Sequence, residues 1–151
     1  MKWNIKYFKE LDTISLYSIL KLRAEVFVVE QDCTYLDIDE KDKKAIHFFS
    51  FDNNNNCIAY ARILKPEEYY KDYTSISRIV IRKKERGKKL GYELVEKSTE
   101  ICLKNFPKKS IKISAQKYLQ KFYENCGFEF RGENYLEDGI PHCAMYYYKI
   151  L

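Results

Sequence analysis

A chain of 151 residues, 46% hydrophobic and 32% charged, is the size of one domain over residues 1–151 and can bury its own core, which excludes wholesale disorder and any need for a disulfide staple. Twenty-seven Lys and Arg against 22 Asp and Glu leave a formal charge of +5, a mild excess that fits an anionic ligand or simply a lysine-rich proteome. No apolar run of about 20 residues is present to span a membrane, Met1 to Lys6 holds no apolar signal core, and the five cysteines include no Cys-x-x-Cys pair, so a cytoplasmic protein with reduced thiols and no metal site is expected.

Trp3, Ile5 and Tyr7 alternate with polar residues, which predicts a half-buried strand. Asp12 is placed to cap a helix whose apolar face (Leu16, Ile19, Leu20, Ala24, Phe27) extends to Val29. The acidic stretch to Asp42 has no periodicity and reads as loop or short helix. Ile46–Phe51 and Cys57–Leu64 predict two strands of a hairpin, turning at Asp52 and the Asn53–Asn56 run. The consecutive Ile79, Val80 and Ile81 within Ser77–Arg82 predict a strand buried on both faces in mid-sheet.

A helix opens near Lys89 and stops before Pro107. Ile111, Ile113 and Ala115 form the next strand, Tyr118–Asn125 a short helix, and Gly127 its left-handed cap. Phe128 and Phe130 start a further strand. Residues 137–141 read as a turn, and Ala144, Tyr146, Tyr148 and Ile150 alternate as the last strand. The order β-α-β-β-β-α-β-α-β-β is that of an α+β fold with a mixed, largely antiparallel central sheet flanked by helices.

The segment from Ile79 to Tyr92 carries the chemistry. An apolar strand feeds a loop in which Arg82, Lys83, Lys84, Arg86, Lys88 and Lys89 fall within eight positions, and a helix follows. Unpaired N–H groups at a helix start, the macrodipole and the basic side chains together suit a phosphate. Gly87 allows close backbone approach. Neither a Walker loop nor a dinucleotide Gly-x-Gly-x-x-Gly is present, and a solvated basic turn fits the same residues.

Arg86-Gly87-Lys88-Lys89-Leu90-Gly91 resembles the acetyl-CoA loop Gln/Arg-x-x-Gly-x-Gly/Ala of the GNAT N-acetyltransferase superfamily, with Lys89 where the first motif glycine stands. Tyr123-Glu-Asn-Cys-Gly-Phe128 resembles the same superfamily's Tyr-x-x-x-Gly-Phe. Leu22-Arg23, the run Val26–Gln31, Tyr35-Leu-Asp37-Ile-Asp39, the run Tyr60–Leu64 and the run Asp138–His142 are similar to its ElaA-like branch.

The resemblance implies the acyl-CoA N-acyltransferase fold and direct acetyl transfer from acetyl-CoA to an amine in a ternary complex, without metal. It places the cofactor on Ile79, Val80, Ile81, Arg86, Gly87, Lys88, Lys89, Leu90, Gly91, Tyr92 and Gln116, and makes Tyr123 the general acid that returns a proton to the CoA thiolate. His142 is a candidate base, since histidine titrates near neutrality, and Glu30 a candidate acceptor contact at the end of the first helix. Asp37, Asp39 and Glu40 would attract a cationic amine or form a solvated loop. Arg78 would form a buried ion pair or touch substrate. His47 is expected in the core, and Cys143, on the strand face opposite His142, as a structural residue. A longer acyl-CoA, or a noncatalytic CoA-sensing or protein-interaction module on the same fold, would use the same loop. No recognisable RNA- or DNA-binding motif accompanies the basic cluster. The acceptor and the oligomeric state, a homo-oligomer included, are left open.

Overall fold

The computed structural model describes residues 1–148. The alternating and helical patterns translate into β1 (Trp3–Tyr7), α1 (Thr13–Arg23), β2 (Ile46–Phe51), β3 (Cys57–Leu64), β4 (Ser75–Ile81), α2 (Leu90–Asn105), β5 (Ile111–Gln116), α3 (Gln120–Asn125), β6 (Glu129–Glu137) and β7 (Ile140–Tyr147). This is the expected order. Ile150 lies outside the described residues.

Local chemistry sets the boundaries. The Ser15 N–H donates to Asp12 Oδ1 at 2.6 Å, so Asp12 is the α1 cap. Asp12→Ala is expected to lower stability by about 1 kcal/mol, read by urea unfolding. Beyond Arg23 the helix widens into a π-helical segment, Ala24–Glu30, in which the Gln31 N–H reaches back to the Val26 carbonyl at 3.1 Å. The Asp52 side chain accepts the N–H groups of Asn54 and Asn56, both at 2.9 Å, and Asn55 takes a positive φ of 62°, closing the β2–β3 turn. Gly127, at φ 94°, ends α3.

The strands form two antiparallel sheets, β1-β2-β3-β4 and β5-β7-β6. α1 packs on one face of the first sheet, Ile19, Leu22 and Val26 against Phe49, Tyr60 and Val80. α2 packs on the other, and there Leu94, Val95 and Cys102 join Phe48 and Ile63 to Ile111, Ile113 and Met145 of the second sheet. One core therefore runs under both sheets.

The sheets meet where Thr74 bridges Ile111 in parallel: the Thr74 N–H donates to the Ser110 carbonyl at 3.1 Å and the Lys112 N–H to the Thr74 carbonyl at 3.0 Å. From there β4 and β5 part. The mid-sheet expectation for Ile79–Ile81 is thus corrected: β4 is the edge strand of its sheet, and Ile79 and Ile81 are only half-buried. Its apolar run serves a cleft wall rather than two packed faces. Within β4, Tyr60 pairs Val80 but Arg62 pairs Ser77, so Arg78 and Ile79 together oppose Ala61. Arg78 sits at φ 52° in this bulge, which bends the strand away from β5.

Candidate active site

The divergence of β4 and β5 opens a cavity of about 690 Å³. Its walls bring together Ile79, Val80, Ile81, Arg86, Gly87, Lys89, Leu90, Gly91, Tyr92, Gln116, Tyr123, Glu30 and His142. Lys88 is not among them; its Nζ turns to Glu85 at 3.2 Å, and its side chain is exposed. Of the residues the resemblance assigns to the cofactor, Lys88 is therefore the one that the cavity wall does not bring in.

At the loop, Gly87 has φ 81° with open space where a Cβ would stand. Lys89, in the place of the motif glycine, adopts the same left-handed backbone at φ 62°, so the loop keeps its turn despite the substitution. As α2 N-cap, Lys89 supplies no side-chain hydrogen bond, and the N–H groups of the first turn keep no side-chain cap. Gly91 touches α3: a Cβ there would lie 3.4 Å from the Phe122 ring. The α2 start and Tyr123, next to Phe122 in α3, are packed as one unit.

Arg86 Nη1 donates to Glu30 Oε2 at 2.7 Å and its Nε to the Ile81 carbonyl at 3.1 Å. Glu30, expected to touch the acceptor, lines the cavity and pairs with the Arg86–Gly91 loop. Gln116 Nε2 donates to Gln31 Oε1 at 3.1 Å, tying the β5 end to the same segment.

Tyr123 is buried yet lines the cavity. Its ring meets Phe122 and Phe128 edge-on. Among the described residues nothing hydrogen-bonds its hydroxyl, and burial pushes the phenol pKa up, which keeps the proton on the oxygen.

The far end of the cavity is built by the β6–β7 hairpin. Residues 137–141 are not all turn: Glu137 pairs Ile140, and only Asp138 and Gly139, both at positive φ, make the turn. His142 therefore lies inside β7, opposite Gln116 of β5. His142 Nδ1 is 2.7 Å from the Ile140 carbonyl, an acceptor, so Nδ1 carries a hydrogen. Nε2 lies 3.3 Å from Glu137 Oε2. Glu137 was missed in the sequence because it was read as turn; an Asp-Gly pair between alternating residues is the signal of a two-residue hairpin, and that register sets Glu137 diagonal to His142.

The acidic stretch is neither an amine lure nor a solvated loop. Arg23, fully buried, donates from Nε to Asp37 and from Nη1 to Asp42, both at 2.8 Å. Arg62, also fully buried, donates to Asp39 at 2.6 Å and to Asp42 at 2.9 Å. Arg78 reaches Asp37 at 2.7 Å and Asp39 at 3.4 Å, so its role is the ion pair. Three arginines against three aspartates leave no net charge. This cluster anchors the β4 bulge, through Arg78, to the segment that carries Asp37 and Asp39. Glu40 stays outside it, paired with Lys43 at 2.8 Å. His47 is buried between the Tyr60 hydroxyl at 2.7 Å and the Asp42 carbonyl at 2.8 Å, and Cys143 is in the core, both as expected.

Residues 15–149 match the Acetyltransferase (GNAT) domain family. The chain is 40% identical to protein ElaA of Escherichia coli over 147 residues, covering 96% of this chain and 95% of that protein. The crystal structure of Escherichia coli ElaA superposes with a TM-score of 0.90 at 38% identity, covering 98% of this chain and 100% of the other. An acyl-CoA N-acyltransferase from Pseudomonas aeruginosa superposes equally well, TM-score 0.90 at 34% identity, with the same coverage. Among the described residues no group of three metal-ligating side chains could hold an ion, and no helix is long and apolar enough to cross a membrane.

Proposed function

The chain belongs to the GNAT acetyltransferase family, and from that premise we propose that it transfers an acetyl group from acetyl-CoA directly to an amine. The observation that carries this reading is the α2 start without a side-chain cap, with left-handed Gly87 and Lys89, opening into the same cavity that Tyr123 lines. The N–H groups of that turn and Arg86 suit the pyrophosphate. The free edge of β4 at Ile79–Ile81 suits the pantetheine arm and offers N–H groups to the acyl oxygen.

The thioester supplies an activated acyl carbon and a thiolate leaving group. His142 Nε2 accepts the ammonium proton of the acceptor, and Glu137 stabilises the imidazolium formed. Tyr123 donates to the departing sulfur. The cytoplasmic setting belongs to this proposal.

Acetyl-CoA at 100 times its Kd is expected to stabilise the protein by about 2.7 kcal/mol, read as a rise in Tm. Gly87→Asp meets open space but carries backbone strain at φ 81°, so it is expected to fold with a lower starting Tm and to lose the rise through repulsion of the phosphates. No rise at saturating acetyl-CoA overturns the reading. Binding without thiol release across an amine panel supports the noncatalytic CoA module instead.

A further inference from the structure

Resting on the acyl-transfer reading, we infer that the hairpin end of the cleft is a subsite for a cationic primary amine that has an aliphatic or aromatic body and no carboxylate, with Glu137 as its counter-charge.

The charges in the cavity wall decide this. Arg86 is held by Glu30 at 2.7 Å, and Arg78 by Asp37 at 2.7 Å and Asp39 at 3.4 Å. Lys89 belongs to the loop at the start of α2. Glu137 has no Lys or Arg partner among the described residues. Oε1 accepts from the Ser114 hydroxyl at 3.1 Å and the Tyr69 hydroxyl at 3.5 Å, and Oε2 faces His142. Its side chain is 38% exposed. A carboxylate that meets two hydroxyls and a histidine but no Lys or Arg, on a cavity wall, has its complement in a cation from the ligand.

The same wall rejects an acceptor carboxylate. Both arginines of the wall are already neutralised, so an α-amino acid would bring its anion beside Glu137 with no free guanidinium to meet it. Tyr69 and Tyr70 flank the subsite with rings 4.5 Å apart. Burial, reinforced at both by the Glu137 charge, pushes their phenol pKa values up, so they stay neutral and offer apolar faces to the body of the amine. Lys41 and Lys112 approach these rings, at 5.5 and 4.5 Å from the centroids, but neither lines the cavity nor pairs with Glu137. An ammonium on Glu137 is also beside His142 Nε2, where its proton must leave.

The test is calorimetric titration of 2-phenylethylamine and n-hexylamine, against phenylalanine and 2-phenylethanol, into the protein with and without saturating CoA near neutral pH. The inference expects at least one amine to bind about tenfold or more tighter than both phenylalanine and the alcohol, and Glu137→Gln to weaken that amine by about tenfold or more with the CoA Kd unchanged. Equal binding of the alcohol or the amino acid, absence of amine binding, or an amine affinity indifferent to Glu137→Gln overturns it. The CoA titration separates the two readings: CoA binding without amine binding removes the subsite alone, and failure to bind CoA removes the acyl-transfer reading as well.

Discussion

Tyr123→Phe is expected to lower the acyl-transfer rate by roughly 10²–10⁴ while folding and CoA affinity hold. The substitution removes one hydroxyl. No described residue hydrogen-bonds that hydroxyl, so its loss strands no partner in the core, and the ring contacts with Phe122 and Phe128 remain. Burial raises the phenol pKa, which makes complete proton transfer to a CoA thiolate more uphill than the free values of about 10 and 8.5 imply. The hydroxyl therefore contributes mainly a hydrogen bond to charge building on sulfur as the C–S bond breaks, with the proton following. A thioester of a more acidic thiol needs that hydrogen bond less and should be less sensitive to the substitution. Single-turnover rates for the two thioesters, beside the CoA Kd, check both points. Unchanged turnover with an acceptor that the wild type uses returns Tyr123 to a packing role.

Arg23→Met is expected to cost about 3–5 kcal/mol, a large share of the roughly 5–15 kcal/mol that holds a domain together. Methionine fills part of the volume but leaves Asp37 and Asp42 buried beside fewer cations. Burial by itself pushes the Asp42 carboxyl up; the hydrogen bond and charge of Arg23, then those of Arg62, outweigh it and hold the group below the usual carboxylate range. A carboxyl with a depressed folded pKa contributes stability above its unfolded pKa of about 3.9, and that contribution is lost as pH falls through the lower folded value. In Arg23→Met the balance tips toward burial, so protonation relieves the folded state. The gap between wild type and variant is therefore expected to be full at neutral pH and to narrow as pH falls, first through the variant's raised carboxyl pKa and then, below about 4, through the depressed wild-type one. Urea unfolding at several pH values measures it. A gap under about 1 kcal/mol at neutral pH would show that the cluster is not a buried ionic anchor.

The element order and the basic turn that suits phosphate are local properties of the chain, because caps, turns and alternation act within a few residues. Asp12 meets Ser15, Asp52 meets Asn56, and Gly127 ends α3 where the pattern placed it. The basic turn before α2 is legible in the residues themselves, whereas Tyr123 and the Arg86–Gly91 motif are picked out through the family resemblance, and Lys89 shows how the loop keeps its turn: a left-handed residue is needed, and lysine takes that backbone here. What only the tertiary structure decided are the pairings across long stretches of chain. An apolar run reads the same in a central strand and at the mouth of a cleft, and only the parting of β4 and β5 makes β4 an edge strand. An acidic stretch reads as solvated until its partners are known, and those partners stand far off: Asp42 is 19 residues from Arg23, and Asp37 is 41 from Arg78. Glu30 and Arg86, 56 apart, and Gln31 and Gln116, 85 apart, meet only because the sheets fold over one cavity. Charge complementarity has no period along the chain. The fold, through the register of its strands and the place where its sheet divides, selects which charges face each other, and it left Glu137 facing His142 and the cleft with no Lys or Arg partner among the described residues.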